Sequence, residues 1–399
     1  MFLYQIELFC PMLLKSRLSL IICLFAISTL WSGKIYAQKY NPIPVAVPSL
    51  EIAPDARGGG MGDIGVATMP DVYSQYWNAA KYPFVSSTAG VAASYTPWLS
   101  KLVNDVNLVY VSGFWKFGND NLNAISTSLR YFSFGEFDIF ATSEIMMSVS
   151  PHEFAFDVAY SRRLSETFSS AVTLRYIRAD YSTGDDETTP GNAFAADIAG
   201  YNESYIYLGR SETLLGFGFN ISNIGTKISY DDGNTSMFLP TNLRLGASLG
   251  LPLDNKNTLS FSADINKLLV PTPQLPVEGE TEADKQKRID DYYNMSPIVG
   301  IFKSFGDAPG GFEEEMQEVM WSVGMEYSYN NQFSLRTGYY NENEYKGNRR
   351  YMAFGAGFRY NSFQIDAAYL ISTAQSNPLD QTLRLSIGFG LDGLRNLMR

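Results

Sequence analysis

The feature that most constrains this chain is a two-residue hydrophobic period whose polar face carries charges in mid-segment. In the last such segment Leu383, Leu385, Ile387, Phe389 and Leu391 alternate with Thr382, Arg384, Ser386, Gly388 and Gly390. Residues 242–251 repeat the pattern: Leu243, Leu245, Ala247, Leu249 and Leu251 oppose Asn242, Arg244, Gly246, Ser248 and Gly250. Neighbouring side chains of a strand point to opposite faces, so each segment reads as a strand between two unlike environments. A soluble sandwich also alternates. Three further features favour a transmembrane antiparallel β-barrel, an all-β fold. The polar faces carry Arg130, Arg175, Arg244, Arg336, Arg359 and Arg384 with Asp157, Asp197, Asp264, Glu326 and Asp366. The apolar faces are aromatic, with Tyr95, Trp98, Trp115, Tyr131 and Tyr360 near segment ends, as interfacial girdles require. Short and long connections also alternate.

The expected strands are 86–96, 106–117, 122–134, 150–162, 168–181, 191–202, 212–222, 240–251, 257–269, 318–328, 332–343, 350–360, 363–373 and 381–391. That is about 14, an even number as bacterial barrels require. Connections after the even strands are mostly tight, and those after odd strands reach 135–149, 182–190, 223–239 and 270–317. Short periplasmic turns and long outer loops would put both termini in the periplasm. Opposite charges facing one lumen are expected to pair, because an isolated buried charge is costly. A conduction path lined by charge is the alternative.

The first 37 residues read as a signal peptide: Lys15 and Arg17, an apolar run from Leu18 to Leu30, then small and polar residues ending at Ala37. The apolar run is too short to span a bilayer as a helix. Cys10 and Cys23 both fall there, which leaves no thiol beyond residue 37 for a disulfide, a metal or catalysis. Of 41 acidic and 30 basic residues, Glu7, Lys15, Arg17 and Lys34 also fall there, leaving 40 and 27. Such an acidic balance argues against nucleic acid.

Residues 38–85 do not alternate. They hold Pro42, Pro44, Pro48 and Pro54, then Arg57, Gly58, Gly59, Gly60, Met61, Gly62 and Asp63. No lysine–serine pair follows these glycines, so a phosphate cradle is disfavoured and a segment plugging the barrel mouth is expected. The barrel then covers 86–391 and a tail covers 392–399. No cofactor or metal site is expected, since His152 is the only histidine and the acids are scattered. Any histidine-based triad would have to use it.

Several blocks carry a resemblance. They are Ile52-Ala53-Pro54-Asp55-Ala56-Arg57-Gly58-Gly59-Gly60-Met61-Gly62-Asp63, Tyr76-Trp77-Asn78-Ala79-Ala80-Lys81-Tyr82, Tyr95-Thr96-Pro97-Trp98-Leu99, Gly300-Ile301-Phe302-Lys303-Ser304-Phe305 and Asp307-Ala308-Pro309-Gly310-Gly311-Phe312. The chain resembles the PorV family of the type IX secretion system, within the FadL-like barrel superfamily. It departs at Asn78-Ala79-Ala80, where the superfamily has Asn-Pro-Ala. The resemblance implies a plugged outer-membrane barrel in contact with outer-membrane lipid, with Trp77 and Asn78 in the plug. It also implies a non-enzymatic carrier. Such a carrier binds the C-terminal signal domain of cargo leaving an SprA/Sov-type translocon and shuttles it to an attachment complex with a PorU-type sortase. Loops 223–239 and 270–317 are the expected cargo loops, with Tyr230, Phe238, Pro309, Phe312 and Met316 as contacts. A FadL-like transporter of apolar small molecules and an envelope-lipid (LPS) deacylase are the other functions implied.

Overall fold

A computed structural model describes residues 40–391, apart from 99–104, 142–143, 182–187, 210, 232, 234, 277–278 and 375–379. The expected signal peptide and C-terminal tail lie outside the described residues.

Strands β1 (Ala89–Pro97), β2 (Asn107–Phe117), β3 (Asn123–Ser133), β4 (Phe137–Ala141), β5 (Glu144–Val149), β6 (His152–Arg163), β7 (Phe168–Asp180) and β8 (Gly191–Leu208) are followed by β9 (Ser211–Gly225), β10 (Asn242–Pro252), β11 (Asn257–Leu268), β12 (Val319–Tyr329), β13 (Phe333–Asn341), β14 (Arg350–Tyr360), β15 (Phe363–Ser372) and β16 (Leu383–Gly390). All but β4 and β5 form one closed antiparallel barrel of 14 strands, sealed by β1 against β16 with Val91 opposite Phe389. The alternation dictates the wall: Leu383, Leu385 and Ile387 are exposed on its outer face, whereas Arg384 and Ser386 are buried inside. Closure satisfies every backbone group that lipid would leave bare.

Two departures from the expected strands go beyond shifts of a few residues at strand ends. The 135–149 connection contains the β4–β5 hairpin, whose few residues are too short a run for periodicity to stand out. Strand β8 continues to Leu208 rather than stopping at Asn202, because the polar run Asn202-Glu203-Ser204 interrupts the hydrophobic pattern without ending the strand.

Tight turns join β2 to β3, β6 to β7, β8 to β9, β10 to β11, β12 to β13 and β14 to β15 at one end of the cylinder. The long connections lie at the other. The chain from residue 40 starts at the long-loop end, where the Asn41 amide donates to the Tyr345 carbonyl at 3.0 Å. It runs through the lumen and leaves at the tight-turn end, where the Lys116 amide donates to Thr88 at 2.7 Å. Strand β16 ends at the tight-turn end, so the two ends of the described chain lie at opposite ends of the cylinder. Periodicity could not show this, because a plug threading the whole lumen reverses where its first residue sits.

Candidate functional site

Two surfaces concentrate the chemistry: the seam between plug and wall, and the long-loop rim. The plug is built from short capped pieces. Asp55 caps the turn Ala56–Gly59 by accepting from the Gly58 amide at 2.8 Å and also takes the Trp77 indole N–H. Asn78 accepts from the Ala80 amide at 3.0 Å, while its amide donates to the Val66 and Gly200 carbonyls at 3.0 and 2.9 Å. Glycines let the two layers touch backbone to backbone. A Cβ on Gly338 of β13 would overlap the Met61 carbonyl, and Gly62 at φ +83° lies against the Tyr339 backbone.

A chain of buried charges stitches this seam. Arg57 binds Asp71 at 2.6 Å and Glu326 at 3.1 Å; Arg336 binds the same Glu326 and Asp366 at 2.7 Å. The Gln364 amide donates to Asp366, and its oxygen accepts from Arg359 at 2.7 Å. Across the lumen Arg175 joins Asp157 at 2.7 Å to Asp197 at 2.9 Å. Arg384 of β16 binds Asp63 of the plug. Glu326, Asp157 and Asp197 each meet two nitrogens of one guanidinium, the fork geometry that makes a buried charge tolerable, while Asp71 and Asp366 take one.

Four wall charges that were expected to pair across the lumen do not. Arg130 donates to the Ser49 and Ile52 carbonyls, and Arg244 donates to the Tyr76 hydroxyl at 2.7 Å. Among the described residues Arg359 donates to Gln364, and Asp264 accepts from the Gly65 and Val66 amides at 2.9 and 3.1 Å. For Arg130, Arg244 and Asp264 the reason is the plug, whose carbonyls, amides and Tyr76 hydroxyl take them up, whereas Arg359 meets Gln364 of the wall itself. Sequence reasoning also missed Asp55 and Asp71, whose role comes from a fold-back that no period records.

The rim is rooted by a second cluster. Lys267 binds Glu315 at 3.0 Å and Glu318 at 2.6 Å, and Lys346 binds Glu318 at 3.0 Å and also Glu314. Above this root the 270–317 connection forms three helices, Glu282–Tyr293, Pro297–Lys303 and Phe312–Gln317. In the last helix Glu314 and Glu315 face the root while Phe312 and Met316, four residues apart, face away. Ser296 caps the middle helix, Gly300 lies against Pro271 and Phe238, and Ile298 and Phe302 point outward. The result is an apolar crest of Ile298, Val299, Phe302 (75 % exposed), Phe305, Phe312 (81 %) and Met316. Asp307, beneath the crest, has its carboxyl pushed up to about 6 by burial, with Glu315 and Glu318 adding to the shift. A groove of about 940 Å³ lies beside it, between helix 282–293 and Pro271–Leu275.

Of the expected cargo contacts, Pro309, Phe312 and Met316 are exposed. Phe238 is not: it is 5 % exposed, packed on Tyr292 and under the Lys227 ammonium. Tyr230 is half-buried against Tyr181, with ring centres 4.9 Å apart. Loop 223–239 folds back and spends its aromatics as the floor of its neighbour. Ile298, Val299, Phe302 and Phe305 were missed, although a serine cap before apolar residues four apart was there to read. His152 stacks on Tyr131 and shares a hydrogen bond with the Ser150 carbonyl at 3.1 Å.

Comparison with known proteins places these features in context. The family model for the type IX secretion system protein PorV matches residues 35–275. Among solved structures, the toluene transporter TbuX of Ralstonia pickettii is similar at 10 % identity, covering 86 % of this chain and 99 % of its own, with a TM-score of 0.45. The Pseudomonas putida toluene transporter TodX gives 9 %, 88 %, 98 % and 0.47. A Pseudomonas aeruginosa FadL homologue gives 10 %, 88 %, 99 % and 0.41. No curated protein matches.

Proposed function

The chain belongs to the PorV family of the type IX secretion system, and from that premise we propose that it is a cargo receptor and shuttle without catalytic chemistry. In this reading the tight-turn end faces the periplasm and the long-loop rim faces out. The crest takes the C-terminal signal domain of cargo leaving an SprA/Sov-type translocon. The barrel then diffuses in the outer membrane and presents that domain to the PorU-type attachment complex.

The observation that carries the reading is the contrast between lumen and rim. Six large apolar side chains stand exposed on one loop, far more than a surface without a partner keeps together. Lys267 and Lys346 tie Glu314, Glu315 and Glu318, so the helix that carries Phe312 and Met316 is presented on a fixed base. The alternative of small-molecule transport has no comparable support, because the seam of arginine–carboxylate contacts ties the plug to several strands.

The test is direct. Purified barrel carrying Phe302→Ser and Phe312→Ser is compared with the parent for binding of an isolated cargo signal domain. At least a tenfold loss is expected, about 1.4 kcal/mol or more, since exposed aromatics at an interface centre dominate affinity. Unchanged affinity in a folded double variant would remove the crest from the reading.

A further inference from the structure

At the tight-turn end, hairpin β8–β9 outgrows its neighbours. Strand β7 pairs with β8 only as far as Phe168 opposite Asn202, followed by one bond from the Glu203 amide to the Thr167 carbonyl at 2.8 Å. Pairing of β8 with β9 continues to Leu208 opposite Ser211, and β10 supports β9 as far as Leu214. Residues 204–208 therefore keep one strand partner and lack a second among the described residues. At about 3.3 Å per residue this is a free edge of about 16 Å. Because Glu203 turns its backbone toward β7, residues two and four further on do the same. The backbone N–H and C=O groups of Tyr205 and Tyr207 thus face the open side.

Exposed edges are normally blunted by lysine, proline, a bulge or a cover. Ser204-Tyr205-Ile206-Tyr207-Leu208 has no lysine, no proline and no register shift. A lipid anchor is the ordinary reading of tyrosines at a barrel end. Here it fails on direction. Tyr205 and Tyr207 share the face of Tyr201, which is buried inside the barrel and meets Phe84 of the plug edge to face. Past the last residue of the plug they are 62 % and 73 % exposed among the described residues. Glu203, Glu212 and the neighbouring Glu166 stand around the edge; Arg163, over the Phe84 ring, offsets Glu203 in part and leaves the surround acidic through Glu212 and Glu166.

The geometry points to a strand-addition site: the 204–208 edge takes an extended, basic peptide segment of a partner protein as a further antiparallel or parallel strand. Backbone bonds to Tyr205 and Tyr207 supply affinity, the two rings cover alternate apolar side chains, and the three glutamates select lysine or arginine between them. That this end meets a periplasmic partner rests on the function proposed above; the edge itself does not.

The experiment uses the purified full barrel in detergent and needs no cargo. Amide exchange across 203–209 is measured with a short peptide alternating Val and Lys, its Val and Glu counterpart, and a Val and Lys peptide broken by a central proline. The Val and Lys peptide slows exchange at Tyr205 and Tyr207 by about tenfold or more, and the other two leave it unchanged. Tyr205→Pro abolishes the protection while the barrel stays folded, since that N–H bonds to no strand. Tyr205→Phe retains it. Equal protection by all three peptides, none by the first, or protein-concentration-dependent protection without peptide would overturn the assignment, the last by showing a second copy on the edge.

Discussion

The plug–wall seam and the rim crest are built from opposite materials. The seam buries charge: Arg57, Arg336, Arg384 and Arg175 each hold a carboxylate with both side chains largely shielded from solvent. The crest exposes grease: most of the surface of Phe302 and Phe312 is open to solvent. A buried ion pair is a poor source of net stability but a severe penalty when one partner goes. An exposed aromatic costs solubility unless something covers it. The difference teaches where change is tolerated. The seam ties plug to wall, and the crest leaves its side chains open to solvent.

The largest expected effect follows from the seam. Glu326→Gln leaves Arg57 and Arg336 without their shared carboxylate and should destabilise the barrel by about 3–5 kcal/mol, read as the urea midpoint in detergent. Phe312→Ser should leave that midpoint within about 0.5 kcal/mol. Equal shifts for both would erase the distinction between the regions.

A middle-sized effect probes their boundary. Glu318 is held by Lys267, Lys346 and the Thr272 hydroxyl, and it roots the crest. Glu318→Gln should leave the barrel's urea midpoint nearly in place while amides of 270–317 exchange about tenfold faster or more. Loss of the whole barrel instead would make the rim part of the seam.

The smallest effect is a pH response confined to the rim. The Asp307 carboxyl is raised from 3.8 to about 6 in the fold. A raised acid binds more protons folded than unfolded, so its environment is favoured below that window and loses stability as pH rises through about 4 to 6. The 270–317 connection should therefore be less susceptible to limited proteolysis at pH 5 than at pH 7. Asp307→Asn should flatten that difference. A flat profile in the parent would mean another group sets the rim.

The wall was legible in the sequence because its rule is local. Arg384 between Leu383 and Leu385 states by itself which side is lumen, and 14 such segments fix a closed sheet. The plug's side of these contacts was not legible, since Asp63 and the Gly65 amide reach Arg384 and Asp264 only after the plug has folded back. Phe238 shows the same limit on the rim. Its chemistry suits a binding residue, yet tertiary packing under Lys227 and against Tyr292 makes it floor. Phe302 was written in a capped apolar run that helix rules describe, and its exposure depends on Gly300 taking the inward side against Pro271. Hairpin β8–β9 hid behind Asn202-Glu203-Ser204, where polarity imitates a turn.

The central claim is that the plug is fixed and that export work is done outside it. The Ala56 amide donates to the Ser386 hydroxyl at 2.8 Å, so Ala56→Cys with Ser386→Cys can tie plug to wall by a reversible crosslink. Cargo display on cells carrying this pair should be the same oxidised and reduced. Display that stops on oxidation and returns on reduction would show a moving plug and contradict the account.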